Sequence, residues 1–184
     1  MSRTTSTMLT LGTIAPNFEL NDVTTGERIK LNESTDYVAT VLMFICNHCP
    51  YVKHVNVELT QLANDYILEK IRFIAISSND VENYPDDSPE NMRITAQLER
   101  YPFPYLYDET QEVAKAYNAA CTPDFYVFDK DLALVYRGQL DDSRPGNNIP
   151  VSGSSIRKTL DCLISNSDLD IEQKPSLGCN IKWK

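Results

Sequence analysis

With 184 residues, 42% of them hydrophobic, the chain is long enough to bury a large core within one domain. Seventeen basic residues against 26 acidic ones leave a net charge of −9, which opposes binding to nucleic acid and to anionic membrane surfaces. No apolar run approaches membrane-spanning length and the start, "MSRTTSTMLTLGT", lacks a signal-peptide core, so a cytoplasmic protein is expected.

In chain order, residues 1–13 read as a flexible start. "APNFELNDVTTGERIKL" reads as a strand, a turn at Thr25–Gly26 and a second strand, an N-terminal β-hairpin. Tyr37 to Ile45 is nearly continuously apolar and rich in branched residues, as a strand covered on both faces should be. The motif "CNHCP" follows directly. Beyond it, Val52, Val55, Leu59, Leu62, Ala63 and Tyr66 make a helical stripe. Ile71 to Ser77 is another buried-type strand, and a helix is expected from about Pro89 to Arg100, with Pro89 in its first turn. "FPYLYD" and "QEVAKAYNA" give a short strand and a helix. "DFYVFD" and "LALVYRGQL" read as a hairpin turning at "KD". "SSIRKTLDCLISN" closes with a helix capped by Ser154 or Ser155, and residues 168–184 form an irregular C-terminal extension. Strands alternating with helices predict a single α/β domain over 1–184, with a central mixed sheet and helices on both faces.

Cys46 and Cys49 lie at the carboxyl end of a buried strand, where a helix opens. The unpaired N–H groups and the positive dipole of a first helical turn stabilise a thiolate. Such a setting lowers a thiol pKa from about 8.5 into a range of roughly 3.5 to 7.5. Cys46 is expected nearest those donors and so is the predicted attacking thiol. Cys49, one turn on, resolves the mixed disulfide, and His48 stabilises the thiolate. A zinc site drawn from Cys46, Cys49, His48 and His54 lacks a second ligand pair at a characteristic spacing, and no metal is expected. Five cysteines are an odd number, and in a reducing compartment a close pair is more often catalytic or metal-binding than structural.

The ordered set "APNFEL", "CNHCPYVK", "CTPDFYVFD", "YRGQLDDSRPGN" and "GCNIKWK" resembles the thioredoxin-fold superfamily. In detail it is similar to the peroxiredoxin-like proteins grouped with alkyl hydroperoxide reductase and thiol-specific antioxidant proteins. The resemblance implies a thioredoxin fold, antioxidant chemistry, and a cis proline at Pro123 facing the cysteine pair. It also implies that Thr122, just before it, offers backbone hydrogen bonds to a bound substrate chain. Two positions depart from thioredoxins: Ile45 stands where they carry Trp, and Thr40 where they carry a buried acid. Aligned instead with the peroxiredoxin motif Pro-x-x-x-Thr-x-x-Cys, Cys49 takes the peroxidatic position, Cys46 replaces the Thr and Leu42 the Pro.

Three functions follow as expectations. The first is a thiol–disulfide oxidoreductase cycling Cys46–Cys49, acting on a protein or small-molecule disulfide, with the thioredoxin or glutathione system as electron partner and no bound cofactor. The second is a thiol peroxidase with Cys49 attacking peroxide. The third is a non-enzymatic binding or metal-carrying module. Cys179, in the tail, is a possible resolving thiol. Cys121 and Cys162 read as buried or inert. Asp141, Asp142 and Arg144 read as a solvated turn that borders the site, His54 as helix surface, and Tyr101, Phe103, Tyr105 and Tyr107 as core and rim.

Overall fold

The computed structural model of the protein describes residues 3–33 and 36–184. Its strands and helices run β1 (Arg3–Thr5), β2 (Glu19–Asp22), β3 (Arg28–Lys30), β4 (Ala39–Phe44), α1 (Pro50–Asp65), β5 (Ile71–Ser77), α2 (Pro89–Leu98) and β6 (Tyr105–Tyr107). They continue with α3 (Glu112–Ala116), β7 (Cys121–Thr122), β8 (Asp124–Asp129), β9 (Leu134–Gly138), α4 (Ser154–Ser165) and β10 (Leu177–Asn180).

Seven strands form one mixed sheet in the order β3-β2-β6-β5-β4-β8-β9. β4 runs parallel to β5, with Leu42 opposite Ile74, and antiparallel to β8, with Leu42 opposite Tyr126. Every residue of β4 is buried, because helices cover both faces of the sheet. The pleat sends alternate side chains to opposite sides. Val41, Met43 and Ile45 meet Val52, Leu59, Met92 and Ile156, carried by α1, α2 and α4. Leu42 and Phe44 meet Ala114 and Tyr117, at α3. Side chains of this size each contribute about 1.5–3 kcal/mol when fully buried, which makes β4 the anchor of the domain. The central mixed sheet with helices on both faces is as the sequence predicts.

Local chemistry sets the helix starts. Ser88 caps α2, its hydroxyl accepting the Asn91 N–H at 3.4 Å, and Pro89 fills the first position. The helix stops at Leu98, short of Arg100, which lies in the left-handed region at φ 55°. At α4 the expectation of a Ser154 or Ser155 cap is corrected. Gly153 is the capping residue at φ 63°, and the buried carboxylate of Asp141 takes the N–H groups of Ser152 and Gly153 at 2.7 Å each.

A second, three-stranded sheet is ordered β1-β10-β7. Arg3 lies opposite Cys179, and Cys179 opposite Thr122. Two expectations change here. Arg3–Thr5, within the start read as flexible, forms a strand, and so does Leu177–Asn180, within the extension read as irregular. Long-range pairing ordered both segments, and nothing in their local pattern marks them. The end of the tail is pinned as well: the Lys182 N–H donates to Asn79 Oδ1, and the Asp80 N–H donates to the Lys182 carbonyl, both at 2.8 Å. No helix among the described residues is long and apolar enough to cross a membrane.

Candidate active site

β4 ends two residues before Cys46, and α1 begins immediately after Cys49. The residue before a proline is steered away from helical backbone, so Cys49 takes an extended conformation (φ −69°, ψ 123°) and Pro50 starts the helix. The motif therefore precedes α1 instead of forming its first turn. Cys49 is the N-cap, which corrects the expectation that Cys46 lies nearest the helical donors.

Charge follows position. The Cys49 thiol is pushed down to about 5, chiefly by the hydrogen bond from Cys46, and further by the Cys179 thiol and the backbone N–H of Val52. Cys46 moves the other way, well above the usual thiol range, because it donates to Cys49, is buried, and feels the negative charge of Asp87. The Thr122 hydroxyl, 3.2 Å from Cys46 Sγ, partly offsets this. Cys179 Sγ lies 2.9 Å from Cys49 Sγ, and burial with that contact pushes its thiol up to about 12. Cys46, Cys49 and Cys179 are 2%, 0% and 3% exposed. Three sulfurs thus share one negative charge, held at the middle one. When protonated, Cys49 donates to the Thr122 carbonyl at 3.3 Å. The Thr122–Pro123 peptide bond is cis, as the resemblance implies, and sets both residues beside the sulfurs.

His48 is engaged by a carboxylate. Its Nδ1 lies 2.6 Å from Asp87 Oδ2, and its ring stacks on Tyr84 with centroids 5.7 Å apart. Asp87, fully buried, also accepts the backbone N–H groups of Asn47 and His48 at 2.8 and 3.2 Å, and the Asn79 amide at 2.7 Å. One carboxylate thus fixes the whole inter-cysteine loop. Sequence reading missed Asp87, and the only signal pointing to it was its place in the acidic loop before α2. Cys46, His48 and Asp87 present ligand atoms within 4.8 Å of one another. Since the Asp87 oxygens already accept four N–H bonds, a cation there would have to displace them.

The remaining expected residues fall around this centre. His54 Nε2 is 2.7 Å from the Ser143 hydroxyl, and these two line a cleft with Arg144, Tyr51, Leu177 and Pro123. Arg144 is tied to the carbonyls of Asp141 and Ser143 at 2.6 Å, while Asp141 is an internal bracket and Asp142 pairs with Lys174. Cys121 is buried and pushed up by that burial, and Cys162 lies on α4 away from the site. Tyr105 and Phe103 are core, and the Tyr105 hydroxyl lies 3.2 Å from Asn47 Oδ1.

A redox-thiol site built on a thioredoxin fold is the class these features define. Residues 11–137 match the model of the AhpC/TSA family, and the chain belongs to that family. The structure is similar to that of an uncharacterized conserved protein from Geobacillus kaustophilus, at 60% identity and a TM-score of 0.98, covering 100% of this chain and 97% of that one. A hypothetical protein from Sinorhizobium meliloti is 42% identical with a TM-score of 0.96, covering 98% of both chains. The fold also matches peroxidoxin BcpB from Mycobacterium tuberculosis, at 17% identity and a TM-score of 0.62, over 86% of this chain and 98% of that one. No curated protein matches.

Proposed function

We propose that the protein is a thiol–disulfide oxidoreductase cycling Cys46 and Cys49 between dithiol and disulfide. The observation that supports this most is the depression of the Cys49 thiol to about 5 beside a neutral Cys46 thiol within hydrogen-bonding reach. At neutral pH one sulfur is then a nucleophile and its neighbour holds a proton for the leaving group. The Cys49 thiolate attacks a substrate disulfide, whose S–S bond breaks. The departing sulfur leaves as a thiolate and takes the Cys46 proton. Cys46, now a thiolate, attacks Cys49 Sγ, closing the Cys46–Cys49 bond and releasing the second substrate thiol. The substrate gains two electrons, the pair loses two, and thiols of the thioredoxin or glutathione system restore it. The order of attack is the reverse of that read from the sequence, because the N-cap belongs to Cys49. Asp87 is a positioning residue, acting through the loop and the His48 ring.

The low Cys49 pKa equally favours a second reading, peroxide reduction. Here the Cys49 thiolate displaces an alcohol or water from a peroxide and becomes a sulfenic acid. Cys46 then condenses with it, releasing water and leaving the same disulfide.

Thiolate absorbance near 240 nm against pH tests the shared premise. The reduced protein should show a transition near pH 5 that is absent in Cys49→Ser. A transition retained in that variant removes the assignment of the nucleophile. Stopped-flow mixing then separates the readings: a fast loss of thiolate with peroxide selects the second, and with a disulfide the first.

A further inference from the structure

Strand β10 takes no part in the reaction above, yet it lies against the site. Cys179 pairs with Thr122 in the small sheet, and β1 holds the other side of β10. Close approach depends on Gly178, since a Cβ there would stand 2.0 Å from the Thr122 carbonyl oxygen. The pairing sets Cys179 Sγ 2.9 Å from Cys49 Sγ, with all three sulfurs at most 3% exposed.

A polypeptide commonly reaches a residue beside a strand by adding its own backbone to that strand's edge. On β7 that edge is already paired with β10. A protein disulfide could enter only by stripping β10 away, together with the Lys182 and Asn79 bonds that anchor it.

We propose that β10 fills, from within the same chain, the place of an incoming polypeptide cysteine: Cys179 is a second exchange partner of Cys49, and the disulfide taken from solution is of low molecular weight. This rests on the thiol–disulfide reading. Once Cys46–Cys49 has formed, Cys179 gives up its proton and attacks Cys49 Sγ. The Cys49–Cys179 bond forms, the Cys46–Cys49 bond breaks, and Cys46 leaves as the thiolate and takes up the proton. No electrons are gained or lost; the disulfide moves. Closing the contact needs the sulfurs to shorten from 2.9 Å to about 2.05 Å. Two equivalents of a small thiol of the glutathione type then reduce it, and by the same steric argument the regenerating thiol is not a protein.

The test is oxidation of the reduced wild-type protein and of Cys46→Ser with one equivalent of glutathione disulfide, followed by peptide mapping without reductant. A Cys49–Cys179 cross-link should appear in both proteins, and near-stoichiometrically in Cys46→Ser. Glutathione left on Cys49 of that variant with no cross-link to Cys179 overturns the proposal. The wild-type protein should also reduce glutathione disulfide at least ten times faster than insulin. Equal rates, or faster insulin reduction, overturn the proposal while leaving the thiol–disulfide reading standing. Absence of both a Cys46–Cys49 and a Cys49–Cys179 bond in the oxidised wild-type protein overturns both.

Discussion

The two sheets of this protein are built on opposite terms. The seven-stranded sheet draws its strength from long apolar strands: β4 alone buries six consecutive residues between helices on both faces. The three-stranded sheet has strands of three, four and two residues, gathered from the start, the end and the middle of the chain. It has little apolar area to bury, and its register depends on a glycine. The chemistry lies where the two meet, at the turn from β7 into β8 and the loop leaving β4. A rigid sheet holds the cysteine loop in place, while a weaker one brings the third sulfur. Segments that must open for exchange belong to the low-stability end of a fold.

That contrast can be broken by substitution. The largest effect is expected from Leu42→Ala in β4, fully buried between Tyr126 and Ile74. Loss of transfer energy and a residual cavity should cost about 2–5 kcal/mol, read as a fall in the urea midpoint, with the low-pH thiolate transition kept in the folded protein. A shifted transition would mean that the core also tunes the sulfurs.

Asp87→Asn sharpens the contrast at the junction. The amide keeps one acceptor but turns a donor toward the Asn79 amide, so that bond is lost, and His48 Nδ1 has to change from donor to acceptor. A cost of about 1–3 kcal/mol is expected. The distinctive readout is the thiol titration: Cys46, held high partly by the Asp87 charge, should fall toward the ordinary range. A stability loss with no change at Cys46 would confine Asp87 to a scaffold role.

The smallest effect is at Asp124, the first residue of β8, whose carboxyl burial pushes up to about 8. A carboxyl raised in the folded state supports stability below its unfolded value of about 3.9, and that support is lost as pH rises through about 8. Asp124→Asn keeps an acceptor for the Tyr126 hydroxyl and removes the titration. It should therefore stabilise the protein at pH 7 and flatten the decline between pH 4 and 8. An unchanged pH profile would show that Asp124 is charged and solvated in the folded state.

How much of this was legible beforehand follows from the range of the interactions. Tyr37–Ile45 and Ile71–Ser77 announce buried strands because both faces are apolar, and the stripe from Val52 to Tyr66 announces the helix packed on them. Cys46 and Cys49 stand out by spacing, and Thr122 and Pro123 by resemblance. Asp87 did not stand out, because a carboxylate in an acidic loop reads as solvated until the fold turns it onto Asn47 and His48. The proposed order of attack differs from the sequence reading by three residues, the difference between a motif inside the first turn and one that ends at its N-cap.

The sequence by itself determined the alternation of strands and helices, the cysteine pair at the end of β4 and the proline that starts α1, since each is written in neighbouring residues and their periodicity. Only the tertiary structure decided which sulfur carries the charge and that Cys179 shares it. A thiolate is stabilised by whatever donors surround it in space, and here those donors come from positions 46, 52 and 179, so the distances between them exist only once the chain has folded.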